Sequence, residues 1–419
     1  MVLQPGRPSL SRGARSWAAP ASLCLAALLA ALPARALFDA GEMDRIDTEP
    51  DLDEEYFSDL HAFSYPMEWE SEWRTAASST SSYRATGASL DCCSLLWSQE
   101  LRTRWSLTER LAAFFRLEQT ADKERRPFHY TIGFERGLGR GWTASIFGEP
   151  AFDKEDSDAG LGLDWAGSGW KASYRAVAVD FPLNRKAGGP ERYSRQPFTQ
   201  VLGLEAPAGE GRLSLRLELD SPMRREVWAE LRSYSYRRTH LLVEHLGPLL
   251  GAAARLAYVL EYQHEGDFYS PDPRLRSSDY RRMTHTFHAS ALAALGERDS
   301  LEAGQRLILR HARNDHPHDP AGGVMYRRWE AQPYARWRRR AGSLATTELG
   351  VFLSLGENRK RYPAHLIPAV FDTIIQAKLG AGLDLRLGPK GKLGLYGAFD
   401  LDDPRHPWDG GSARAQFAF

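Results

Sequence analysis

Ser412-Ala413-Arg414-Ala415-Gln416-Phe417-Ala418-Phe419 is the stretch on which the reading of the chain turns. At a period of two, Ala413, Ala415, Phe417 and Phe419 share one face, and Ser412, Arg414, Gln416 and Ala418 share the other. A β-strand places successive side chains on opposite faces, so this pattern is a strand with one apolar and one largely polar side. Its weight depends on whether the rest of the chain repeats it.

The rest does. Leu95, Trp97, Leu101 and Trp105 alternate with Ser98, Glu100, Arg102 and Arg104. Leu111, Ala113, Phe115 and Leu117 follow, opposed by Arg110, Arg116 and Glu118. Leu213, Leu215, Leu217 and Leu219, between Ser214, Arg216 and Glu218, give the cleanest case. Similar runs lie at 128–134, 142–146, 161–165, 170–178, 198–204, 256–262, 287–295, 301–309, 329–337, 349–355, 371–387 and 393–401. Met67–Trp73 alternates with Glu68, Glu70 and Glu72 and reads as a first strand, and the Ser/Thr-rich run Ala76–Ser89 reads as a loop.

The connections are of two kinds. Short ones carry turn residues, as at 296–300, 340–343 and 388–391, and longer polar ones alternate with them at 180–197, 265–282, 313–324, 356–370 and 402–411. Membrane barrels show this asymmetry, with tight inner turns and long outer loops. Parity along the chain holds only if Glu226–Gly247 is one long strand and the Met67–Trp73 strand is included. That gives about eighteen strands. A hidden turn at Tyr236–His240 would reduce the count to sixteen.

The closing strand, with its terminal Phe419 and alternate apolar residues, resembles that of the outer-membrane β-barrels of Gram-negative bacteria. The resemblance implies an all-β fold, a transmembrane antiparallel β-barrel. It also implies location in the outer membrane, contact with its lipid, and recognition of the last strand by the barrel-assembly machinery.

The front end reads as an export signal. Arg7, Arg12 and Arg15 precede an apolar run from Trp17 to Leu32, and Ala34-Arg35-Ala36 supplies the small residues of a cleavage site. The expected organisation is a signal peptide over 1–36, an acidic and mobile periplasmic segment over 37–62, and the barrel over 63–419. The balanced charge of 54 basic and 54 acidic residues conceals an uneven distribution. Between Leu37 and Asp59 ten acids face Arg45 alone. Mean hydropathy is −0.46, which excludes a membrane protein built as a helical bundle but not a barrel, where alternate residues face water. Cys92 and Cys93 are neighbours, too few to ligate a metal unaided. They read as a structural or incidental pair.

Function rests on the face opposite the lipid. There the alternation places Arg102, Arg104, Arg110, Arg116, Arg216, Arg306, Arg310, Arg336 and Arg338, interspersed with Glu100, Glu118, Glu218, Glu302 and Glu330. Arginine stays charged in any surroundings and presents a planar fork to carboxylate or phosphate. In a wet lumen such a lining favours anions, unless Arg–Glu pairs across strands satisfy one another. The expected function is a porin-like channel for small hydrophilic, including anionic, solutes. The alternative is an outlet in an export or envelope-assembly complex, with 37–59 docking a periplasmic partner.

An enzyme is not expected. Outer-membrane phospholipases carry a His-x-Ser-Asn pattern, and here His288-Ala289-Ser290 is followed by Ala291. His311, Asn314, Asp315, His316, His318 and Asp319 are ligand types without a recognisable metal spacing. No phosphate loop, dinucleotide fingerprint or haem-attachment motif is present, so neither a cofactor nor nucleic acid is expected as a partner.

Overall fold

The computed structural model describes residues 80–419 apart from 91–93, 122–127, 150–156, 180–190, 229–230, 250–251, 270–277, 316–322, 363–368, 389–390, 403, 406 and 419. The expected signal 1–36, the acidic segment 37–62, the strand at Met67–Trp73 and the Cys92–Cys93 pair lie outside the described residues. So do His316, His318 and Asp319.

What is described is almost entirely strand. Seven strands come first: β1 (Thr80–Leu90), β2 (Ser94–Ser106), β3 (Leu111–Ala121), β4 (Phe128–Gly139), β5 (Trp142–Glu149), β6 (Asp158–Gly167) and β7 (Trp170–Ala178). A short β8 (Glu191–Arg195) and β9 (Phe198–Ala208) follow. Then come eight long strands, β10 (Gly211–Val227), β11 (Arg232–Leu249), β12 (Ala252–Tyr269), β13 (Ser278–Ala294), β14 (Asp299–Asp315), β15 (Val324–Ala341), β16 (Ala345–Arg361) and β17 (Val370–Arg386). The last two are β18 (Gly391–Asp400) and β19 (Trp408–Ala418).

Every pairing is antiparallel. β9 pairs with β7 on one side and with β10 on the other, while β8 pairs with the far end of β10, so β8 and β9 act as one interrupted strand. β1 pairs with β2 and with β19, in registers that include Tyr83↔Leu101 and Tyr83↔Phe417. The sheet therefore closes on itself, and closure removes the free edges that would otherwise template aggregation. Counting β8 with β9 leaves a ring of eighteen strands. The expected count was also about eighteen, but it took Met67–Trp73, outside the described residues, as the first strand where β1 stands.

Three expectations are corrected. The run expected as a loop at Ala76–Ser89 is largely β1. Its Ser, Thr, Gly and Ala side chains give no apolar signal, but its backbone is paired on both sides. Tyr236–His240 hides no turn, because β11 is continuous through it; Glu226, however, belongs to β10. The polar connections at 265–282, 313–324 and 356–370 are partly strand, since β12 runs to Tyr269, β13 starts at Ser278, β14 runs to Asp315 and β16 to Arg361.

The turns sort by end. At one end β4–β5 and β6–β7 join through two residues each. Arg140 and Gly141 (φ 52° and 82°) and Ser168 and Gly169 (φ 52° and 82°) take the left-handed backbone whose twist suits a two-residue hairpin. The longer connections gather at the opposite end. This division matches the expected inner and outer ends.

The two faces are inverted relative to a soluble protein. Ile132, Phe134, Ile146, Leu161, Leu256, Phe287, Val351 and Ile375 are exposed, whereas Glu244, His288, Arg306, Glu330, Arg336 and Lys378 are buried. A sheet that turns its apolar face outward and its charges inward is stable only where lipid surrounds it. Trp142 and Trp170 are exposed near the short-turn end and Trp329 near the long-loop end, the positions of interfacial aromatic girdles. The fold is a transmembrane antiparallel β-barrel.

Candidate functional site: the charged inner wall

The inner face divides into two regions that share a chemistry and differ in burial. On β14, β15 and β16 the side chains of Glu302, Arg336, Arg338 and Glu348 form a closed quartet. Arg336 Nη2 lies 2.8 Å from Glu302 Oε1 and its Nη1 lies 3.7 Å from Glu348 Oε1. Arg338 Nε lies 2.6 Å from Glu348 Oε2, and its Nη1 lies 3.4 Å from Glu302 Oε2. Each guanidinium bridges both carboxylates, and each carboxylate bridges both guanidiniums. The register dictates this arrangement: Glu302 faces Arg336, and Arg338 faces Glu348. Arg336 is only 3% exposed. Removing two charges of each sign from water is costly, and only mutual pairing makes it tolerable.

Aromatic rings seat the quartet. Tyr334 donates its hydroxyl to Glu302 Oε1 at 3.0 Å, and His288 Nε2 lies 2.8 Å from the same hydroxyl. With Tyr334 donating to Glu302, His288 donates through Nε2–H. The His288 and Tyr334 rings stack at 5.8 Å, Tyr334 and Phe352 at 6.0 Å, and the Arg336 guanidinium lies 5.1 Å from the Tyr334 ring centre. Glycines make the space. A Cβ on Gly304, directly across from Tyr334, would lie 2.6 Å from that ring, and one on Gly350 would lie 2.9 Å from Phe352.

A second buried node is centred on Glu330. It accepts from Arg328 Nε at 2.9 Å, from Gln332 Nε2 at 2.6 Å and from the Ser354 hydroxyl. Further round, Glu244 pairs with Arg255 at 2.5 Å. Arg310 donates from Nε to Thr284 Oγ1 at 3.3 Å.

On the short strands the same pairings are solvated. Lys171 Nζ meets Glu205 at 2.8 Å, and Arg212 meets the same carboxylate at 3.9 Å. Arg175 meets Asp164 at 3.5 Å, and Arg104 pairs with Glu135. On β10, Arg216 lies 3.7 Å from Glu218, which Arg238 also approaches at 3.9 Å.

Eight of the nine arginines expected on the inner wall stand on inward strand positions: Arg102, Arg104, Arg116, Arg216, Arg306, Arg310, Arg336 and Arg338. Arg110 does not. It lies in the 107–110 turn before β3, exposed at the short-turn end. The alternation that placed it extends one turn past the strand it was read from. Arg102 and Arg116 face each other directly across β2 and β3. His288 points inward as the alternation implied, and its partner is Tyr334. Sequence reading missed Glu348, Tyr334, Arg328 and Lys378. All four sit at inward parity, and only the register between strands brings Glu348 and Tyr334 to the quartet. Among the described residues no cluster of His, Cys, Asp or Glu could hold a metal ion.

Closed sheet, apolar exterior and charged interior occur together here. The architecture is that of an outer-membrane β-barrel. No family model matches the sequence, and neither does any curated protein. Among solved structures the chain is similar to OmpT, an outer-membrane protein of Vibrio cholerae, at 7% identity and a TM-score of 0.40, over 83% of this chain and 99% of that one. It is also similar to OccK5 of Pseudomonas aeruginosa, at 11% identity and a TM-score of 0.38, over 82% and 97%. The ferric enterobactin receptor PfeA of Pseudomonas aeruginosa matches at 8% identity and a TM-score of 0.43, over 82% of each chain.

Proposed function

We propose that the protein is a channel of the Gram-negative outer membrane that passes small hydrophilic solutes along its charged inner wall. One observation carries this reading: the charged side chains point inward and meet acid–base partners there, while the apolar ones point to lipid. A water-filled lumen lined by charged side chains suits hydrophilic solutes and raises the local concentration of ions of opposite sign.

The pairing also defines the selectivity. In the buried quartet two arginines face two glutamates, so that region adds no net charge. Selectivity comes instead from the solvated region, where Arg216 and Arg175 keep much of their surface open to the lumen. The reading is a channel with mild anion preference, weaker than the number of lumenal arginines would suggest. It involves no chemical conversion of the solute.

The test is the reversal potential of single channels in a tenfold salt gradient. Mild anion preference is expected, and Arg216→Glu together with Arg175→Glu is expected to invert it. Strong cation selectivity in the unaltered protein, or no conductance in planar bilayers, overturns the reading.

A further inference from the structure

The outer surface carries a feature that conduction does not use. Beyond the apolar rows, the long strands continue toward the long-loop end with their outward face turned basic. Register places Met283, His311, Arg327, Arg359 and Phe371 in one row across β13–β17. The next row out holds Arg237, His264, Arg281, Arg313, Met325 and Arg361 across β11–β16. Two positions inward on these strands stand Leu309 and Trp329, exposed on the lipid-facing side. The basic rows therefore lie on the outside of the barrel, at the rim of the apolar band.

Like charges sit directly opposite one another in these rows. Arg281 faces Arg313, and Arg327 faces Arg359. Cβ atoms so paired are about 5 Å apart, and like charges at that spacing destabilise a sheet. Part of the repulsion is relieved within the protein. Arg281 meets Asp279 at 2.6 Å, and Arg313 meets Asp315 at 2.7 Å. Arg359 lies over the Phe371 ring at 4.9 Å. Among the described residues no carboxylate pairs with Arg327, Arg359 or Arg361. All three are exposed.

We infer that these rows bind the phosphate groups of a phosphorylated saccharide lipid in the outer leaflet. Guanidinium grips phosphate with a two-pronged hydrogen bond and supplies charge as well. A lipid whose acyl chains lie against Leu309 and Trp329 brings its head group to the height of Arg327, Arg359 and Arg361. The first row spans five strands and the second six, at about 4.8 Å each, wide enough for a disaccharide bearing two phosphates. Charge complementarity and continuity with the apolar band both favour a lipid over a soluble anion. The inference needs the long-loop end to face outward, but it does not need the barrel to conduct.

The experiment is native mass spectrometry of the full-length mature protein, released from nanodiscs containing diphosphorylated lipid A, its phosphate-free counterpart, or phosphatidylglycerol. Retention of diphosphorylated lipid A is expected to exceed that of either alternative by about tenfold. The variant carrying Arg327→Ala, Arg359→Ala and Arg361→Ala is expected to lose that excess, with heat-modifiable mobility on gels confirming that it folds. Equal retention of the phosphate-free lipid, equal retention of phosphatidylglycerol, or an unchanged excess in the triple variant each overturns the inference. So does a dimer that forms without bound lipid and that the triple variant abolishes.

Discussion

The wall from β2 to β9 and the wall from β10 to β17 are built from the same pairings and differ in reach. Strands of the first have between 5 and 13 residues, and those of the second have 17 or 18. At about 3.3 Å per residue, seventeen residues extend some 56 Å along the strand. Even tilted, that exceeds the apolar band of about 25 Å typical of such barrels. The long wall must therefore emerge from the membrane, and its outward face changes from leucine to arginine where it does. The inner faces differ too. On β14 to β16 of the long wall acid–base pairs are buried beside aromatic rings; on the short wall, and on β10, they lie in water. An ion pair thus serves as a structural joint in one region and as a solvated lining in the other.

The largest expected contrast comes from deleting one partner. Arg336→Ala leaves Glu302 and Glu348 with one guanidinium between them in a buried setting, and a loss of about 3–5 kcal/mol is expected. The urea midpoint of the barrel in lipid measures it. A loss below about 1 kcal/mol would mean that the quartet is as wet as the short wall.

Glycines sharpen the comparison. Gly304→Ala drives a methyl group into the Tyr334 ring, which His288 and Phe352 hold in place, at an expected cost of about 1–3 kcal/mol. Gly203→Ala on the short wall meets only the Ser173 hydroxyl, which can rotate away, and its midpoint is expected to stay unchanged. The smallest effect is Lys171→Ala. Its pair with Glu205 is nearly half exposed on the lysine side, so about 0–1 kcal/mol is expected, and added salt should erase it.

Much of this was legible in the residues, for a physical reason. Strand alternation has a period of two, lipid demands apolar groups on one face, and together they specify which side of the wall each residue takes. Arg306, Arg310, Arg336 and Arg338 were placed that way. Two things were not legible. β1 was hidden because Ser, Thr, Gly and Ala carry no apolar contrast, and the outer halves of β12 to β16 were hidden because outside the membrane the contrast vanishes. The quartet was half visible. Arg336, Arg338 and Glu302 could be assigned a face, but that they meet Glu348 depends on register, which no single strand contains.

The pairing of β1 with β19 has a consequence for how the molecule comes into being. The seam joins the first described strand to the last, so no partial chain, however long, can finish the ring. Until residue 418 is in place, two rows of peptide groups remain without partners in a setting where water cannot supply them. A protein truncated by even that strand should stall unclosed instead of folding into a smaller barrel.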